Sequence, residues 1–259
     1  MRYGYGDFSE FYDRLMIDVD YNGYADRLLR LWERYGKRPN TVLDIACGSG
    51  NLCEALIRRG VEPIGVELSE TMLQKAMEKP LLAENGVLLL CQDMCEMDLY
   101  GTADGAVCVL DSVNHLCRTE DVRRFFSRLR LFVEPNGLFI FDVNTPYKHR
   151  QVLGDNAFVF EQEDFLCVWR NNYLPRTNEV SMSLDFFVEE QDGSYTRLVD
   201  TVRERAYSRR TLEQLLAQTG WDVLAVLADR TDEQPQDACE RWVFVARNNR
   251  TVEEAAGTQ

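Results

Sequence analysis

Histidine is nearly absent from this chain of 259 residues: His115 and His149 are the only two. A zinc centre would lack its commonest ligands. Cysteine is present, but Cys47, Cys53, Cys91, Cys95, Cys108, Cys117, Cys167 and Cys239 include no C-x-x-C pair. Set among mostly apolar neighbours, they read as small buried hydrophobes of an intracellular protein. Long hydrophobic runs are missing too. Nothing approaches the roughly 18 apolar residues of a membrane span, and the opening MRYGYGDFSEFYDRL has no apolar core of the kind a signal peptide needs. A cytoplasmic protein with no membrane partner is expected. Basic residues are in deficit, 29 Lys plus Arg against 43 Asp plus Glu, for a net charge of -14. A phosphate backbone is on average repelled by such a surface, so nucleic acid is a poor partner unless a local basic patch overrides the mean.

Apolar material is ample, at 45% of residues, enough for one large α/β domain or two small ones. Helical spacing of Phe8, Phe11, Tyr12, Leu15 and then Tyr24, Leu28, Leu31, Trp32 and Tyr35 predicts two helices, broken near Asn22-Gly23. A regular alternation follows: strand Thr41 to Ile45, helix Leu52 to Arg59, strand Glu62 to Glu67, helix Ser69 to Glu78. Strands Val87 to Cys91 and Ala106 to Leu110, helix Thr119 to Phe132 and strand Gly137 to Val143 continue it. Strands separated by helices imply right-handed crossovers and a mainly parallel sheet covered on both faces. The expected fold is a doubly wound, Rossmann-like α/β sheet.

After Asn144-Thr145-Pro146 the rhythm changes. Ala157 to Phe160, Phe165 to Arg170, Val180 to Val188 and Tyr195 to Arg205 read as strands, with Met182, Leu184, Phe186 and Val188 alternating against Ser181, Ser183, Asp185 and Phe187. Gln191-Asp192-Gly193-Ser194 suits a hairpin turn. Then Ser208 caps helix Arg209 to Thr219, Gly220 ends it, and strands Trp221 to Ala228 and Glu240 to Arg247 close the sheet. The expected division is a helical lid over 1–40, a core over 41–146 and 207–247, an inserted antiparallel β meander over 147–206, and a frayed tail over 248–259. His149, between Lys148 and Arg150, is expected in a solvated hinge leading into the insertion.

One stretch points to chemistry: TVLDIACGSGNL, residues 41 to 52. In an open parallel sheet, ligands bind beyond the carboxyl ends of the strands, where the first strand turns into the first helix. Gly48 and Gly50 bare the backbone there, and the following helix aims free N–H groups at the same place. Asp44 can accept hydrogen bonds from a ligand or brace the loop. Glu67 ends the second strand, where a carboxylate can receive both hydroxyls of a ribose. Two spaced glycines alone fit an ordinary tight turn equally well. A nicotinamide dinucleotide fits poorly, because the third glycine of G-x-G-x-x-G is missing.

Taken in order, VLDIACGSGNL, PIGVELSETML, CQDMCEMDL, DGAVCVLDSVNHL and VEPNGLFIFDVN resemble the successive motifs of the class I S-adenosylmethionine-dependent methyltransferases. YGYGDFSEFYDRLM and DVDYNGYADRL are similar to the lid of small bacterial members of the YqeM-like kind. The resemblance runs from residue 1 to about 246 and implies a seven-stranded sheet with S-adenosylmethionine as cofactor. It implies that Asp44, Ala46, Cys47, Gly48 and Gly50 hold the methionine and sugar portions, and that Glu67 binds the ribose. By the same likeness Leu68 and Met72 lie along the cofactor, Asp93 accepts from the adenine amino group and Met94 offers backbone. Leu110 and Asp111 close the pocket, with Ser112, Asn114 and His115 near the transferred methyl, while Tyr12 resembles the tyrosine that covers the cofactor. His115 and Tyr12 are the candidate bases. Tyr12 also fits plain helix packing, Asp93 a loop cap, and Leu68 and Met94 ordinary core.

An activated sulfonium donor needs mainly alignment of the reactants and exclusion of water. The insertion is rich in aromatic residues, among them Phe158, Phe160, Trp169 and Phe186. It suits either an acceptor pocket for a small organic molecule or a homodimer contact. Methyl transfer to RNA or protein, and a non-catalytic cofactor-binding module of the same fold, are the alternatives; the charge opposes RNA and fits a basic protein.

Overall fold

The computed structural model describes residues 8–229 and 231–251. Of the expected lid and tail, residues 1–7 and 252–259 lie outside the described residues. Two helices, α1 (Phe8–Leu15) and α2 (Tyr21–Tyr35), precede the sheet. The Asp20 side chain accepts from the Gly23 N–H and caps α2, so Asn22-Gly23 lies in the first turn and the break falls before it. The chain then alternates through β1 (Thr41–Ile45), α3 (Asn51–Ile57), β2 (Glu62–Glu67), α4 (Glu70–Met77), α5 (Pro80–Glu84), β3 (Leu88–Cys91), β4 (Ala103–Cys108), α6 (Thr119–Phe132) and β5 (Val133–Asn144). Helix α5 was not expected from the sequence; Pro80 opens it at the first helical position, where the missing N–H has no partner to lose.

Four antiparallel strands follow, β6 (Ala157–Glu161), β7 (Phe165–Leu174), β8 (Glu179–Glu189) and β9 (Tyr195–Arg205), and then α7 (Arg209–Gln218), β10 (Trp221–Ala228) and β11 (Arg241–Asn248). The main sheet has seven strands in the order β10-β11-β5-β4-β1-β2-β3, with β11 antiparallel to both neighbours. It is a doubly wound, Rossmann-like sheet. Its strands read as continuous apolar runs because both faces are covered. Leu43, Ile45, Phe139 and Phe141 face one layer with Phe125, Phe126, Leu129 and Leu216 of α6 and α7. Val42, Leu138 and Ile140 face the other, with Leu28, Trp32, Leu52 and Leu56 of α2 and α3.

The second sheet is a meander, β6-β7-β8-β9. Its buried face carries Val180, Met182, Leu184 and Phe186, the alternate positions of β8. Helix α1 packs on that face: the Phe11 ring stacks on Phe186 at 5.0 Å and tilts against Phe165 at 5.3 Å. The Arg14 guanidinium lies over Phe165 and pairs with Asp164.

Three expectations change at the joints. Strand β4 ends at Cys108, two residues before the expected Leu110. The expected tail begins later, since Asn248 completes β11 fully buried and donates to the carbonyls of Arg130 and Val133. His149 is not in a solvated hinge. It sits in a π-helical turn over Lys148–Leu153 and is fully buried. Its Nδ1 faces the Asn178 carbonyl at 3.3 Å, which can only accept, so Nδ1 carries a hydrogen. Its Nε2 stands 3.1 Å from Glu204 Oε2. That contact needs a further proton, whether on imidazole or carboxyl, so the buried pair shares one.

The pair lies within the insertion, and its Glu204 is the point where the inserted sheet is tied to the core. Asn144 at the end of β5 donates to the same Glu204 oxygen, and Asn114 donates to the carbonyls of Asn144 and Arg205. His149→Ala removes the imidazole from a buried carboxyl and leaves it only the Asn144 amide, and is expected to lower the unfolding free energy by about 3–5 kcal/mol in urea titrations. A loss below about 1 kcal/mol, the range of exposed ion pairs, would show that the pair is no structural tie.

Candidate active site

The tips of β1 and β2 are bound together by one carboxylate. Glu67 Oε2 accepts from the Gly48 N–H at 3.0 Å, and Oε1 accepts from the N–H groups of Leu68 and Ser69 at 2.8 and 2.9 Å. The loop after β1 is left-handed at Ala46, Gly48 and Gly50, with φ of 58°, 56° and 76°. The two glycines serve differently. A Cβ on Gly50 would strike Leu82 at 2.6 Å, whereas one on Gly48 would meet nothing within 4 Å. Gly50 is required by packing, and Gly48 leaves open space over bare backbone, as a bound ligand requires.

That space is a narrow cleft, partly open to solvent, lined by Asp44, Ala46, Cys47, Gly48 and Ser49, by Val109, Leu110 and Ser112, and by Tyr21 and Asn51. Asp44 is buried and accepts from the Cys53 thiol at 3.2 Å. Burial, with some help from the Glu67 charge, pushes its carboxyl up to about 7. Burial also pushes the Tyr21 hydroxyl up to about 12. Tyr21 is therefore a hydrogen-bond donor at neutral pH.

On the far side of Glu67, the Leu68 side chain is 48% exposed, an apolar surface offered beside a buried acid. Asp93 is exposed two residues past β3 and spends Oδ1 on the Cys95 N–H at 2.8 Å. Strands β2 and β3 pair Glu67 with Cys91, and the Gln92 N–H donates to the Glu67 carbonyl, so Leu68 and Asp93 belong to adjacent strand tips. Met94 is half-buried against the main core. Met72 is buried at 3% exposure and is not among the cleft residues; it packs α4.

Past β4 the backbone turns sharply, with Leu110 and Asp111 both at φ 56°. Consecutive left-handed non-glycine residues are strained and need support. The Asp142 carboxylate supplies it, accepting from the N–H groups of Leu110 and Asp111 at 2.9 and 2.8 Å. Arg241 reaches from β11 to pair with both Asp142 and Asp111. Burial pushes the Asp111 carboxyl up, but Arg241, with Lys148 and His115, outweighs it and holds the group below the usual carboxylate range. Burial leaves Asp142 above its ordinary value, despite Arg241.

His115 closes a 3-10 turn over Ser112–His115 and is half-buried. Donor atoms of His115, Asp111 and Glu204 lie within 4.8 Å of one another. Arg241 and Lys148 place positive charge against Asp111 there. Asn114, expected beside the reacting methyl, is fully buried and serves instead as the clasp between β5 and β9. The side chain of Tyr12 lies outside the described residues.

The comparisons agree with this geometry. Residues 42–137 match a family model described as a methyltransferase domain. A methyltransferase-family protein of Geobacillus sp. (strain WCH70) is 32% identical over 94% of this chain and 99% of its own length. The chain belongs to the S-adenosylmethionine-dependent methyltransferases. YqeM of Bacillus subtilis, named for the same family, is 30% identical over 96% of this chain and 98% of its own. The crystal structure of an S-adenosylmethionine-dependent methyltransferase from Clostridium acetobutylicum superposes with a TM-score of 0.83 at 30% identity, covering 94% of this chain and 98% of that one. S-adenosylmethionine is the cofactor of this methyltransferase.

The residues that could hold it stand around three strand tips: Asp44, Ala46, Cys47 and Gly48 at β1, Glu67 and Leu68 at β2, and Asp93 past β3. Four participants were missed. Tyr21 carried no signal apart from its place near the lid, and Asp142, Arg241 and Glu204 reach the site from distant strands.

The raised carboxyl of Asp44 generates a test. In the unfolded chain it ionises near 4, and in the folded chain near 7. The folded state therefore holds the proton more tightly, and this contribution is present at low pH and lost as pH rises from about 4 to 7, on the order of 4 kcal/mol at full burial. Asp44→Asn, which keeps an acceptor for Cys53, is expected to lose less stability across that interval than the parent chain. Superimposable curves from denaturant titrations at stepped pH would show an ordinary carboxyl.

Proposed function

We propose that this methyltransferase acts on a small-molecule acceptor held between the segment after β4 and the inserted sheet. One observation carries the proposal. His115 and Asp111 of the core meet Glu204 of the insertion within 4.8 Å, and Glu204 is buried. Core and insertion meet there, so an acceptor bound at that junction touches both, which suits a compact molecule better than a polymer laid across the surface. The chain's charge of -14 further opposes RNA.

In this reading Glu67 binds the ribose hydroxyls, already oriented by its backbone donors, and Leu68 and Asp93 take the adenine. Ala46, Cys47 and Gly48 line the amino-acid side with Asp44, Gly50 holds their loop in shape by its packing, and Leu110 closes the pocket. The cofactor supplies an activated methyl group that passes in line to a nucleophile. The protein aligns the acceptor, keeps water out and handles the acceptor's proton. His115 is the first candidate base for that proton, and Asp111 beside it is held ionised. Tyr12 is the second candidate base, by family resemblance. Tyr21 suits a donor's part, since its hydroxyl is held protonated.

Thermal unfolding with S-adenosylmethionine, S-adenosylhomocysteine and NAD tests the cofactor site: a ligand at 100 times its Kd adds about 2.7 kcal/mol of stability, expected for the first two alone. Glu67→Ala is expected to weaken S-adenosylhomocysteine by about 10- to 100-fold in calorimetry, the loss of a buried charged acceptor. Unchanged affinity would remove Glu67 from the site. Labelled methyl transfer into a metabolite extract identifies the acceptor. With it in hand, His115→Gln is expected to flatten the acidic limb of the pH-rate profile, and an unaltered limb would make His115 structural.

A further inference from the structure

Helix α1 reaches the cofactor loop through Asp13. The Ser49 hydroxyl donates to Asp13 Oδ1 at 2.5 Å and Asn51 Nδ2 donates to the same oxygen at 2.9 Å. The orientation of the Asn51 amide is fixed from behind, because Lys79 Nζ can only donate and binds Asn51 Oδ1. Both Ser49 and Asn51 line the cleft. Asp13 is half-buried beside them, and its hydrogen bonds among the described residues fall on Oδ1.

The direction of the ligand follows from Glu67. With the sugar held at the tip of β2, the amino-acid arm extends to the side of β1 and β4, where Ser49, Asn51 and Leu110 form the walls. The arm of S-adenosylmethionine carries a sulfonium and an ammonium against a single carboxylate. No Lys or Arg is among the described residues lining the cleft, and Asp44, the acid inside, is held toward its neutral form by burial. Helix α1 sets a second, less buried acid on that side.

We propose that Asp13 is a cofactor-binding residue whose carboxylate receives the α-ammonium group of the cofactor's methionine arm. This rests on the reading that Glu67 holds the ribose. The lid then selects by charge among adenosine thioethers, favouring those that keep the amine.

Calorimetry on the full chain tests this with S-adenosylhomocysteine, its decarboxylated analogue, which keeps the amine, and methylthioadenosine, which lacks the amino-acid group. Asp13→Asn retains an acceptor for Ser49 and Asn51 and loses only the charge. It is expected to weaken the first two by about tenfold or more and to leave methylthioadenosine within about twofold. Equal weakening of all three would reduce Asp13 to a seat for the lid, and no weakening of the first two would remove it from the site; either overturns the proposal. Glu67→Gln serves as the separate control and is expected to weaken all three. If it leaves methylthioadenosine unaffected, the ribose assignment fails independently of Asp13.

Discussion

One carboxylate accepting three backbone N–H groups determines the shape of the cofactor side. Glu67 draws the loop after β1 and the turn after β2 onto itself, so that two strand tips present one continuous rim. Backbone donors are short and stiff compared with side chains, and they hold the acid in one orientation before any ligand arrives. The left-handed geometry at Ala46, Gly48 and Gly50 follows from that arrangement: the chain must double back within a few residues to bring the Gly48 N–H to Glu67.

A second acid performs the equivalent task at the turn after β4. Asp142 draws the N–H groups of Leu110 and Asp111 out of the β4 ladder, which is why that strand stops at Cys108. The backbone strain at this turn and at Ala46 is local to the cleft, as expected where structure is given over to function rather than stability. Arg241 balances the charge that such a device concentrates. The two sides thus share a construction: a buried carboxylate holding a strained turn by its amides.

Periodicity made much of the frame legible. Strands β1, β2, β9 and β10 and helix α6 lie where apolar spacing and cap residues place them. Glu67 and the glycine loop were legible for a related reason, since they sit at strand ends within a short span of sequence. What could not be read depends on distance. His149 looked solvated between Lys148 and Arg150, and only its pairing with Glu204, 55 residues on, makes it interior. Asn114 was expected near the transferred methyl beside His115, and its partners are the backbone of Asn144 and Arg205. Leu110 read as strand because nothing local announces that Asp142 will claim its amide. Asp13 stood next to Tyr12 in the sequence, and its meeting with Ser49 and Asn51 is a fact of tertiary packing.

The position of Arg241 along the chain has a consequence for assembly. Strands β1 to β5, with the glycine loop and both acids, are complete by residue 144, whereas the guanidinium that neutralises Asp111 and Asp142 arrives nearly a hundred residues later on β11. During synthesis the nucleoside half can settle while the ribosome is still adding the insertion. The turn beside His115 must wait for its guanidinium partner until the last strand slots between β5 and β10. That corner of the molecule is therefore finished last, after the strands that frame it.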